Sequence, residues 1–171
     1  KLHYNAPGIF QIDGEFNPCS ENPEYRKNAL NLAKKHICYA AEAESPIIVF
    51  AACPDKGIKK RPELLKRFME YFLELAELCR TYHMEITIEP IERHRFKKLI
   101  LGPFKDCADF MLEAQKNGAA NAHLMIDTAH LPLMEESLET AIKETQRAGL
   151  IHVHLGDAVL DPNSNFYGHT Q

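Results

Sequence analysis

Three stretches of this chain each end on a side chain that can hold a cation. Residues 150–157, Leu-Ile-His-Val-His-Leu-Gly-Asp, alternate as a strand does, with Ile151, Val153 and Leu155 on one face and His152 and His154 on the other. Residues 85–90 place Ile86 and Ile88 opposite Thr87 and Glu89, and residues 123–130 place Leu124 and Ile126 opposite Met125 and Asp127. Glu89, Asp127 and His154 thus share two properties: each sits near the C-terminal end of its strand, and each faces away from the aliphatic residues. Two carboxylates and an imidazole brought together in an apolar wall are costly unless paired. A divalent cation removes that cost, and an O/O/N donor set suits Mn, Mg, Co or Zn. Taken singly, each residue reads equally well as a local hydrogen-bonding group, so the argument lies in the coincidence.

The neighbouring candidates divide by position. His130, in Asp-Thr-Ala-His, is close enough to Asp127 to act as a ligand, a substrate donor or a helix cap. His152 lies deeper than His154 on the same face and reads as a hydrogen-bonded core histidine that supports it. Asp157 is placed to orient an imidazole from behind. His123 sits at the opposite end of its strand, and His36 and His83 lie on or just after helices, so all three read as structural. Lys97, with Arg93, Arg95 and Lys98, can receive a phosphate or carboxylate, although a solvated loop face is the commoner meaning of such a run.

These residues need strands to carry them and helices to cover the strands. A short strand over residues 2–7 leads into a loop rich in Gly, Asn, Asp and Pro. Asn22-Pro23 caps and opens a helix to about residue 43 with an apolar stripe of Ala29, Leu30, Ala33, Ile37, Ala40 and Ala41. The continuous apolar run 47–52 reads as a strand buried on both faces. Pro62 opens a helix to about residue 82, followed by the Glu89 strand. The loop 90–103 is long and charged, as functional loops often are. A helix over 104–116 closes at Asn117-Gly118, the Asp127 strand follows, and a helix over 137–148 closes at Gly149. From residue 158 on, turn-forming residues dominate and no further element is expected.

Strands alternating with helices imply a parallel α/β sheet with right-handed crossovers, whose sites lie beyond the carboxyl ends of the strands. Five strands are too few to close an eight-stranded barrel. The reading is one domain over residues 1–171, part of a (β/α)8 TIM barrel with about five βα units, strands three to seven. An open doubly wound sheet fits less well, because no Gly-rich phosphate loop follows the first or second strand.

The length of 171 residues, 45% hydrophobic, suits one domain with a sizeable core. A net charge of −4 offers no general attraction to nucleic acid or an anionic membrane, and no apolar run approaches a membrane span. Five cysteines, an odd number with no C-x-x-C pair, read as reduced thiols in a cytoplasmic protein.

At Glu-Pro, Asp-Thr-Ala-His and His-Val-His-Leu-Gly-Asp the chain resembles the xylose-isomerase-like barrel superfamily, which holds sugar and sugar-phosphate isomerases, ketose 3-epimerases and the endonuclease IV family. Residues 157–169, with Pro162, Tyr167, Gly168 and His169, also resemble a group of sugar phosphate isomerases/epimerases. The resemblance implies metal ligation by Glu89, Asp127 and His154, a substrate contact from His130, and a fourth ligand, a Glu on an eighth strand beyond Gln171. It implies acid/base work by Glu89. Two departures matter. The epimerases' Arg six residues after the metal histidine is Leu160 here. The nuclease pattern needs histidines where this chain has Asn5 and Ala52-Cys53, and only His169 of Tyr167-Gly168-His169 fits its last motif.

The expected function is therefore a metal-dependent isomerase or epimerase. It acts on a sugar or sugar phosphate through an enediolate-type proton transfer, with Glu89 moving the proton and a divalent metal polarising vicinal oxygens. The alternatives are an endonuclease IV-like phosphodiesterase and a non-catalytic barrel fragment. Exposed barrel edges would favour a homo-oligomer.

Overall fold

In the computed structural model, which describes residues 2–8 and 14–170 (His169 and Thr170 by backbone alone), five parallel strands form one sheet in sequence order. They are β1 (Tyr4–Asn5), β2 (Ile47–Ala51), β3 (Glu85–Glu89), β4 (Ala122–Asp127) and β5 (Leu150–His154). Each junction is crossed by helix: α1 (Pro23–Glu42), α2 (Arg61–Thr81), α3 (Phe104–Lys116), then the short α4 (His130–Met134) and α5 (Leu138–Ala148). This is an incomplete (β/α)8 barrel. Part of the first loop, residues 9–13, lies outside the described residues, as does the side chain of His169.

The helix boundaries follow from local chemistry. The Asn22 side chain accepts a hydrogen bond from the Glu24 N–H at 3.0 Å, and Pro23 supplies the first helical residue, so α1 starts where the sequence places it. Ser137 does the same for α5, accepting from the Thr140 N–H at 3.1 Å. Gly118 and Gly149, with φ of +104° and +88°, turn the chain out of α3 and α5.

The sheet's two faces are chemically unlike. Ile48, Phe50, Ile86, Ile88 and Leu124 point toward the helices and join a core with Phe68, Phe72 and Phe110. Those three rings pack with centroids 5.6 to 6.3 Å apart. The other face is concave and carries the polar residues. Its curvature is tight enough for His3, just before β1, to reach His152 on β5, although these strands lie at opposite edges of the sheet.

The tail departs from expectation. Residues beyond 157 form β6 (Asp157–Val159) and β7 (Gly168–Thr170), an antiparallel pair separate from the main sheet. Three-residue strands leave no readable period, and the intervening turn residues masked them; Asp161 Oδ1, for example, accepts from the Asn163 N–H at 2.9 Å. Tyr167 at the end of this turn packs edge-on against Phe96, tying the charged loop 90–103 to the tail.

Candidate metal centre

The C-terminal ends of β3 and β4 bring Glu89, Asp127 and His130 together, with one ligand atom from each lying within 4.8 Å of the others. Glu89 and Asp127 are the last residues of their strands. The turn after β4 then carries His130 back over the sheet as the first residue of α4. Asp127 Oδ1 accepts from the Ala129 N–H at 2.9 Å, which fixes both the carboxylate and the turn. Thr128 clamps the ends of β4 and β5, its hydroxyl donating to the Gly156 carbonyl at 2.8 Å and accepting from the Gly156 N–H at 2.9 Å.

His130 is fully buried, with Nδ1 2.7 Å from Glu92 Oε2 and Nε2 3.5 Å from Glu89 Oε1. Glu92 is also fully buried, and its other oxygen accepts from the Lys97 N–H at 2.8 Å. Burial works against the Glu92 charge, but His130 and the backbone N–H outweigh it and hold the carboxyl below its ordinary range. An ionised carboxylate only accepts, so Nδ1 of His130 is the donor and Nε2 is the atom aimed at Glu89 and Asp127. Burial pulls the His130 imidazole down, and the two carboxylates beside it overcome that and raise it to about 9.

A divalent cation fits this donor set. Two carboxylates and an imidazole nitrogen converge, and the imidazole's far nitrogen is fixed by a buried acid, the arrangement that orients metal-binding histidines. In the metal-free protein the imidazolium proton balances the carboxylates; a cation would take its place.

The other candidates take distinct places. His154 is the register partner of Asp127, with Nδ1 3.7 Å from Asp127 Oδ2, beside the three-atom cluster. The His152 ring packs edge-on against His154 and against His3. Burial, then the neighbouring histidines, lower the His152 imidazole below its ordinary value. Asp157 opens β6, exposed, with Oδ1 accepting from the Ala158 N–H at 2.8 Å. Lys97 is half-buried and lines a cavity of about 130 Å³ with Asn5, Ala6, Gly8, Ala51, Glu89, Ile91 and Leu99. The rest of the basic run is dispersed. Arg93 is buried and bonded to Asp106 and the Ile100 carbonyl at 2.7 Å each, Arg95 pairs with Glu135, and Lys98 is exposed. His123 bonds Glu85 at 2.8 Å at the far end of the sheet, as a structural histidine should. Glu92 and His3 were not singled out by sequence reasoning. For Glu92 the available signal was a carboxylate inside the long charged loop; for His3 there was none.

Three solved structures show how widely this architecture is shared. D-psicose 3-epimerase from Clostridium cellulolyticum H10, solved with D-tagatose, matches with a TM-score of 0.72 at 20% identity over 91% of this chain and 54% of that one. The 3-keto-D-glucoside 4-epimerase YcjR from E. coli matches at 0.67 and 17% over 82% and 54%. The IOLI protein, solved with a bound zinc atom, matches at 0.70 and 14% over 92% and 51%. The chain spans about half the length of these structures. No curated protein matches it in sequence. Among the described residues, no helix is long and apolar enough to cross a membrane. Residues 3–170 match a single family, and so the chain belongs to the xylose isomerase-like TIM barrels.

Proposed function

We propose that the chain is the site-bearing part of a metal-dependent isomerase or epimerase acting on a sugar or sugar phosphate. The carrying observation is the convergence of Glu89, Asp127 and His130 at the C-terminal ends of adjacent strands, where barrel enzymes do their chemistry. Two of the structures described above are epimerases by name, and a third holds zinc, which supports both the reaction class and the cation.

Glu89, Asp127 and His130 hold the ion in this reading, with His154 beside Asp127 as a further ligand. A bound divalent ion, Mn, Mg, Co or Zn, supplies Lewis acidity toward the carbonyl and hydroxyl oxygens of the sugar. Glu89 takes the proton from the carbon next to the carbonyl and returns it, an enediolate-type transfer for which a half-buried carboxylate is suited. Glu92 keeps His130 in the tautomer that presents Nε2. Lys97 and Asn5, in the cavity beside Glu89, supply donors to the sugar's oxygens or to a phosphate. The five thiols are free, which suits the reducing cytoplasm.

The test is solvent deuterium exchange. Incubated in D2O with Mn or Co, the protein exchanges label into a ketose or ketose phosphate, and Glu89→Gln loses at least 100-fold of that rate. An intact protein that binds no divalent ion would remove the reading altogether.

A further inference from the structure

We propose that His3 and His152 form a second metal site on the concave face of the sheet, made of imidazole nitrogen alone and selective for Cu2+ or Ni2+. The two residues are 149 positions apart, and only the curl of the sheet makes them meet. Their Nδ1 atoms lie 3.0 Å apart, and neither ring is bonded to a carboxylate among the described residues. Two nitrogens at that separation, each at the ordinary metal–nitrogen distance of about 2.0–2.1 Å, subtend roughly 90° at a shared ion. That is the cis angle of tetragonal Cu2+ and Ni2+; a regular tetrahedron would hold the nitrogens further apart. The rings are inclined at 73°, so their edges approach one point from different directions. His154, the further ligand proposed for the Glu89 ion, packs edge-on against His152 with centroids 4.6 Å apart, so the two sites adjoin and the His3–His152 pair supplies the two nitrogens of its own.

The donor chemistry separates this site from the one at Glu89. An oxygen-rich cluster takes hard or borderline ions such as Mg2+ and Mn2+, whereas an all-imidazole pair ranks ions by the Irving–Williams order and favours Cu2+. The inference does not depend on the proposed catalytic activity, because its readout is binding and spectroscopy.

The experiment disables the carboxylate cluster first. The 171-residue chain carrying Glu89→Gln and Asp127→Asn, stripped with chelator, is titrated with Cu2+ and examined by pulsed electron paramagnetic resonance. One Cu2+ per chain with modulation from two imidazoles is expected. Adding His3→Gln weakens that binding at least 10-fold and removes one imidazole from the spectrum; His152→Gln does the same. Circular dichroism on each variant confirms the fold, and His83→Gln, in the turn between α2 and β3, is the control that leaves Cu2+ binding unchanged. If His3→Gln and His152→Gln bind Cu2+ as tightly as their parent with the same spectrum, the pair is a hydrogen bond only and the proposal is overturned.

Discussion

At the residue scale, the site depends on a carboxylate that does not itself touch the proposed ion. Glu92 is buried, ionised and bonded to the Nδ1 of His130. Glu92→Gln keeps the shape and removes the charge, and we expect metal affinity to fall by about 10–100-fold, measured by competition with a chromophoric chelator. The same pair sets a pH dependence in the metal-free protein. His130 titrates at about 9 when folded, above its ordinary 6.5. Its stabilising contribution is therefore complete below about 6.5 and is lost as pH rises through about 9. On the acid side the limit is Glu92, whose lowered pKa means the pair survives until pH falls below the usual carboxylate range. Urea unfolding of the metal-free protein should show a midpoint that declines between pH 7 and 10. In Glu92→Gln that decline should begin at lower pH and be smaller. An unchanged profile in the variant would show that the pair does not raise His130.

At the element scale, the strand ends position the ligands and the turns after them complete the site. Glu89 and Asp127 stand at the last residues of β3 and β4, and α4 returns His130 over them. The opposite end of the sheet is a packing problem. Gly149 adopts φ of +88° between α5 and β5, and a Cβ there would lie 2.6 Å from Nδ1 of His123. Gly149→Ala meets both backbone strain and a clash, and a loss of roughly 1–3 kcal/mol is expected from thermal or urea unfolding. Metal affinity should hold, because His123 and Glu85 lie at the end of the sheet away from Glu89.

At the scale of the whole molecule, the site is a seam between separate βα units, so ligand binding and folding are linked. An ion that binds only the folded chain stabilises it by about 2.7 kcal/mol at one hundred times its dissociation constant. Mn2+ or Zn2+ should therefore raise the melting temperature by several degrees, EDTA should reverse the shift, and Asp127→Asn should abolish it. A shift that persists in Asp127→Asn would place the stabilising ion elsewhere.

The sequence alone carried the strand–helix alternation, the inward-facing positions and the carboxylates, because each is a local property. Side chains alternate along a strand, Asn22 and Ser137 cap the residues next to them, and Gly118 and Gly149 end the helices they follow. The β6–β7 pair escaped because three-residue strands have no period to read. The distances between elements came only from the tertiary structure. Glu92 and His130 are 38 positions apart and His3 and His152 are 149 apart. No spacing rule connects such pairs, and it is the curl of one sheet and the return of one short helix that bring them to bonding distance.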